Sequence, residues 1–144
     1  MKNRKREKLT SSIEDYLETI TILSEKNKVV RVKDISNKMK VSKPSVHSAL
    51  HFLKENGYIR QEPYGYITLT KKGKIAGENI YEVHKILIKF FTEILKVKRK
   101  TAEKDACNIE HYISSETLKK LIKFIKNYFW GRKYGFDFSK RREI

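Results

Sequence analysis

The chain has a single cysteine, Cys107, in 144 residues. That excludes an internal disulfide framework and fits a reducing cytoplasm. No apolar run approaches the ~18 residues that cross a bilayer. The basic start, MKNRKREK, leads into no signal-peptide apolar core. The expectation is a cytoplasmic protein without a membrane partner. Acidic residues are scarce, 17 against 33 Lys and Arg, for a net charge of +16. Such an excess points to a polyanion, most simply nucleic acid. Lysine-rich codon usage gives the same balance without any binding meaning. At 39% the hydrophobic content is low, yet the apolar residues are patterned, which argues against disorder. There are no internal repeats or low-complexity segments. The length allows one domain, or two small ones sharing a core.

The pattern predicts helices first. Ser11 and Glu14 form a capping box ahead of Ile13, Tyr16, Leu17, Ile20 and Leu23, giving a helix over 11–26. A second covers 33–40, with Val32, Ile35 and Met39 inward. Ser42 caps a third, which runs to Asn56 with Val46, Ala49, Leu50 and Leu53 on one face, and Gly57 ends it. Two strand-like runs follow, 58–60 and 66–69, separated by the turn signal Gln61-Glu62-Pro63-Tyr64-Gly65. Thr70 caps a long helix to Leu95, and Lys96 to Lys100 form a charged linker. A helix over 101–113 follows, then a last one capped by Ser114 or Ser115 and ending near Trp130. The expected fold is mainly α. A winged helix-turn-helix DNA-binding domain spans 1–75, and an all-helical domain with a basic tail spans 76–144. The second domain carries a dense apolar stripe (Ile80, Val83, Leu87, Phe90, Phe91, Ile94) and a further set from Leu118 to Phe129. That is more apolar surface than a small helical half can hide, so a second copy of the chain is expected to cover part of it.

A helix-turn-helix sets the start of its second helix against base edges in the major groove. Here that helix opens Ser42-Lys43-Pro44-Ser45, and its outer face carries Pro44, Ser48, His51 and Glu55, with Ser45 at the edge. Small uncharged side chains let the backbone approach while hydroxyls reach bases or phosphates. Lys43 and the free first-turn amides suit phosphate. Tyr64 at the hairpin tip, with Arg60 beside it, suits the sugar-phosphate backbone or the minor groove. Small helical domains show this spacing without binding DNA; the wing and the net charge favour DNA.

Cys107, Glu110 and His111 lie at i, i+3 and i+4. At ~100° per residue they leave a helix on one side. Thiolate, carboxylate and imidazole all ligate transition metals, and three on one face leave positions open for other ligands. The bland alternative is a surface Glu, a surface His and a small buried Cys. On the first helix Asp15, Glu18 and Ile22 share the side opposite the apolar stripe. An isoleucine between two carboxylates argues that this face meets something, although simply solvated acids are the other reading. His84 falls within the apolar stripe of the long helix, where a hydrogen-bonded core residue is the usual finding. Cys107 and His111 also allow a nucleophile–base pair, but no oxyanion-hole or Gly-rich loop signal accompanies them, so no enzyme is expected.

The segments IEDYLETI, VKDISNKMKVSKPSVHSALHFLKENGYI, ITLTKKGKIAG, IYEVHKIL and DACNIEHYIS, colinear from about Ile13 to Trp130, resemble the DtxR/MntR family of metal-dependent transcriptional repressors. The resemblance implies metal ligation by Asp15, Glu18, His84, Cys107, Glu110 and His111, with one or two Mn2+ or Fe2+ ions per subunit. It also implies a homodimer on a palindrome-like DNA operator, repressing metal-uptake genes. The chain departs from the family in places. Ile88 and Glu103 stand where the iron-responsive branch has an ancillary Glu and His. Asp15 replaces that branch's methionine, and Cys107 replaces the manganese branch's Glu. The chain is similar to the short, manganese-regulator type without an SH3-like domain. A metal-independent winged-helix or chromosome-coating protein is the alternative.

Overall fold

The structure, a computed structural model, describes residues 9–134. The basic N-terminal arm (Lys2, Arg4, Lys5, Arg6, Lys8) and the distal tail cations Lys140, Arg141 and Arg142 lie outside the described residues. So do the side chains of Tyr64, Trp130, Arg132 and Lys133. The chain divides into two compact units, Met1–Glu82 and Val83–Ile144.

In the first unit, α1 (Ser11–Lys26) is capped by Thr10, whose Oγ1 accepts from Ile13 N at 3.3 Å. The cap thus sits one residue before Ser11. Thr10, Ser11 and Ser12 all carry a capping hydroxyl, and backbone geometry picks among them. Tyr16 through Thr21 are buried consecutively, so the middle of α1 is covered all round rather than along one stripe. Next, α2 (Val32–Met39) ends at Lys40 in the left-handed region, φ 56°. Ser42 then caps α3 (Lys43–Glu55), and Pro44 stands in the first turn, where its missing N–H costs nothing. The buried residues of α3 are Val46, Ala49, Leu50 and Leu53, as the pattern predicts. Gly57 at φ 76° closes it, a conformation that glycine adopts without a Cβ clash.

The wing is an antiparallel pair, β1 (Ile59–Gln61) and β2 (Ile67–Leu69), with Ile59 opposite Leu69 and Gln61 opposite Ile67. A 3-10 turn over Pro63–Gly65 joins them. Val30 adds a bridge on the other edge of β2, where Ile67 N donates to Val30 O at 2.9 Å. Arg31 lies 5.0 Å over the Tyr66 ring and donates to its hydroxyl at 3.2 Å, which ties the wing to the start of α2. The core joins α1, α2, α3 and the wing through Leu17, Ile20, Ile35, Val46, Leu50, Leu53, Ile59 and Ile67. Helix α4 (Lys71–Lys89) begins against this core. Thr70 caps it, accepting from Gly73 N at 3.1 Å. A Cβ on Gly73 would lie 1.8 Å from Tyr58 O, so only glycine lets the helix pass the wing this closely.

In the second unit α4 does not continue regularly to Leu95. Residues Phe90–Ile94 form a π-helical turn, with Leu95 N donating to Phe90 O at 3.1 Å, and Lys96 at φ 60° reverses the chain. Helix α5 (Arg99–Ile109) starts two residues earlier than the pattern predicts. Its final turn loosens through Glu110 and His111, although Glu110 keeps α-helical dihedrals. Ser114, the first of the two predicted caps, accepts from Thr117 N at 3.2 Å and starts α6 (Ser115–Tyr134). That helix outruns its expected end near Trp130 because Gly131 costs a helix interior only about 1 kcal/mol. The largest buried cluster of this unit is Leu87, Ile88 and Ala106, with Val83, Phe91, Ile113 and Leu121 against it, and Ala102 and Ile125 are buried as well.

Candidate metal centre and nucleic-acid interface

Helical spacing sets Cys107 on α5 and Glu110 one turn on, while His84 faces them from α4. His84 Nδ1 lies 2.6 Å from Glu110 Oε2 and 3.9 Å from Cys107 Sγ. His111 Nε2 lies 3.4 Å from Glu110 Oε1. The Glu110 side chain is fully buried, the His111 side chain is 5% exposed and that of His84 14%. Cys107 is exposed. This inverts the bland expectation of a surface carboxylate and imidazole around a buried thiol. Burying a carboxylate is costly unless charge or hydrogen bonds compensate it. Yet Glu110 Oε1 has no hydrogen-bond partner. A buried carboxylate with one oxygen on His84 and the other, without a hydrogen bond, 3.4 Å from His111, beside a thiol, fits a divalent transition cation.

The other two predicted ligands belong to the first unit. On α1 Asp15 is half-buried and Glu18 is 6% exposed. Glu18 is therefore no solvated surface acid. The altered ancillary positions are also accounted for. Ile88 is a core residue of the second unit, and Glu103 forms a surface pair with Arg99 at 2.8 Å.

Every described side chain predicted to meet DNA is exposed: Ser42, Lys43, Pro44, Ser45, Ser48, His51 and Arg60. Ser42 and Ser45 are not wholly available, since their hydroxyls share a 2.9 Å hydrogen bond at the helix cap. His47 is exposed one turn before His51 and was not singled out by the sequence pattern. Its i, i+4 relation to His51 was the available signal. The Arg31–Tyr66 clamp on the wing was also missed, because residues 35 apart carry no periodic signal.

Residues 8–67 match the iron dependent repressor N-terminal DNA binding domain. Residues 70–128 match the iron dependent repressor metal binding and dimerisation domain. An HTH-type transcriptional regulator of Methanocaldococcus jannaschii is 34% identical over 121 residues, covering 83% of this chain and 97% of the relative. Among solved structures, the manganese regulator SloR is 30% identical with a TM-score of 0.72. The metal-dependent transcriptional regulator MtsR is 25% identical with a TM-score of 0.75. Each match covers 82% of this chain and 55% of the other, so the chain spans little more than half the length of those two proteins. No helix among the described residues is long and apolar enough to cross a membrane. The chain belongs to the iron-dependent repressor (DtxR/MntR) family of metal-dependent, DNA-binding transcriptional regulators, which dimerise, take a divalent metal such as manganese or iron, and are not enzymes.

Proposed function

We propose that the protein is a cytoplasmic repressor of metal-uptake genes, with residues 1–75 reading DNA and 76–144 sensing metal and dimerising. Asp15, Glu18, His84, Cys107, Glu110 and His111 would hold the metal, one or two ions per subunit. The observation that carries this is the buried Glu110 carboxylate, which has one oxygen on His84 and the other without a hydrogen bond. Ser42, Lys43, Pro44, Ser45, Ser48, His51, Arg60 and Tyr64 would meet DNA.

Carboxylate ligands gathered around one site repel one another, a penalty that a bound divalent cation removes. His84 and His111 add neutral nitrogen donors, and the His84–Glu110 hydrogen bond holds two of these groups in place beforehand. Metal raises DNA affinity only as far as the DNA-competent state binds it more tightly, and DNA then tightens metal binding by the same factor. Two recognition helices in a homodimer, about 34–36 Å apart, suit a palindrome-like operator.

The test is an operator-binding titration at fixed salt with chelator, manganese, ferrous iron and zinc. Affinity should rise with at least one metal and fall with chelator. Equal affinity throughout would leave a metal-independent, chromosome-coating protein as the better account.

A further inference from the structure

We infer that His47 and His51 form a second divalent-cation site, on the outer face of α3, which takes zinc or nickel(II) rather than manganese and competes with DNA. It is separate from the centre around Glu110, since both residues belong to the first unit. Its binding of metal needs nothing from the metal-sensing reading above. Its effect on DNA rests on the reading of α3 as the helix that meets the bases.

The stretch His47-Ser48-Ala49-Leu50-His51 places two imidazoles four residues apart within α3. Side chains at i and i+4 of a helix are neighbours, with Cβ atoms about 5–6 Å apart. Two nitrogens on one zinc, at ~2.0–2.1 Å each, lie roughly 3.3–3.5 Å from one another. Rotation about the two side-chain torsions of each histidine closes that difference without moving the backbone. Helical H-E-x-x-H zinc motifs chelate with the same spacing. Both histidines are exposed, and among the described residues no hydrogen bond or ion pair engages either ring. The residues between them leave the approach open, because Ala49 and Leu50 are buried and Ser48 is small. The backbone beneath is held in place by the Ser42 cap and by Val46, Leu50 and Leu53 in the core. An ion therefore meets a scaffold that is already formed.

Chemistry sets the preference. Imidazole suits zinc, nickel and copper, whereas manganese favours oxygen donors. Glu55, exposed one turn beyond His51, attracts a cation, while Lys43 and Lys54, exposed about a turn to either side, oppose it. Solvent reduces both to small terms beside two coordinate bonds. Position then sets the consequence. A helix with its side chains is about 10–12 Å across, and the major groove is about 12 Å wide. No space is left for an ion with its coordinated waters on the face turned to the bases. Loading the pair therefore releases DNA, and DNA weakens metal binding at the pair by the same factor.

Zinc is the probe, titrated into the full chain and followed by NMR of the imidazole nitrogens. The chain has four histidines, so each ring signal can be assigned by single substitution. The His47 and His51 rings should shift together, with one common midpoint. In His47→Gln the response of His51 should weaken by at least about tenfold, a loss that two independent rings would not show. Operator binding, measured at fixed salt, should fall at least about tenfold in excess zinc relative to excess manganese, and chelator should reverse the fall. Each protein is compared with its own affinity in manganese, and in His47→Gln the fall should disappear. Rings at 47 and 51 that stay still while those of His84 or His111 respond overturn the site. So does a His51 response that His47→Gln leaves unchanged. Release of operator by zinc that persists in His47→Gln, or no release at all, overturns the competition with DNA. Operator binding that no metal raises would remove the repressor reading and leave the ring titration to decide this site. Operator binding that manganese raises, with unresponsive rings at 47 and 51, would keep that reading and remove this inference.

Discussion

In the first unit Leu17, Ile20, Ile35, Leu50, Leu53 and Ile67 are buried in one contiguous core that links three helices to the wing. In the second, Leu87, Ile88, Ala102, Ala106 and Ile125 are buried, while Leu95, Ile109, Tyr112 and Phe124 face outward. Phe124 is 49% exposed yet stacks on Tyr128 and meets Phe90 edge-on, so the aromatic side chains are ordered without being covered. A helical unit with this much uncovered apolar surface has a physical reason to dimerise, whereas the first unit exposes fewer large apolar side chains, Val29 and Ile75. The polar chemistry is divided the same way. The first unit keeps its described DNA-contact candidates outside, and the second keeps a carboxylate and two imidazoles largely inside.

The sharpest test of that contrast is truncation in the complete core. Leu50→Ala should cost about 2–5 kcal/mol of stability, read by denaturant unfolding. A loss well under that range would mean the first-unit core is not close-packed. Next in size, Glu110→Ala or His111→Ala should weaken metal binding by at least about 10–100-fold and abolish metal activation of operator binding. Helicity and weak non-specific DNA binding should survive. A variant that titrates metal like the parent would remove these residues from the site. Phe124→Ser should leave secondary structure intact and weaken self-association by about tenfold or more, measured by sedimentation. An unchanged dimer would show that the aromatic face serves something else. The smallest effects belong to DNA recognition. Ser45→Ala with Ser48→Ala should lower operator binding selectively. Neutralising Lys2, Arg4, Lys5, Arg6 and Lys8 should weaken operator and scrambled duplexes alike and flatten the salt dependence. The opposite pattern in that paired assay would move the reading surface elsewhere.

What the sequence made legible tracks how local each cause is. The inward face of α3 and the cap at Ser42 depend on neighbours within a turn, and both follow directly from spacing. The cap of α1 slipped by one residue because three successive hydroxyl residues compete for it. The π-helical turn at Phe90–Ile94 has no periodic signature, since one residue too many in a turn is settled by packing. In the metal centre, the i, i+3, i+4 spacing marked Cys107, Glu110 and His111. Which of them is buried depends on α4 across the fold, and Glu110 and His111 turn inward while Cys107 stays exposed, the reverse of the non-metal alternative.

The bridge from Val30 to Ile67 has a consequence for solution behaviour. β1 pairs along one side of β2, and on the other side the Val30 bridge occupies the edge at Ile67, the first residue of the strand. The outer side of β1 is the strand edge without a bridge among the described residues. It is three residues long and carries the exposed cation Arg60 at its centre. Short, charged edges make poor templates for strand-to-strand association between molecules. The wing can therefore project from the protein as a surface element without inviting aggregation through its edge.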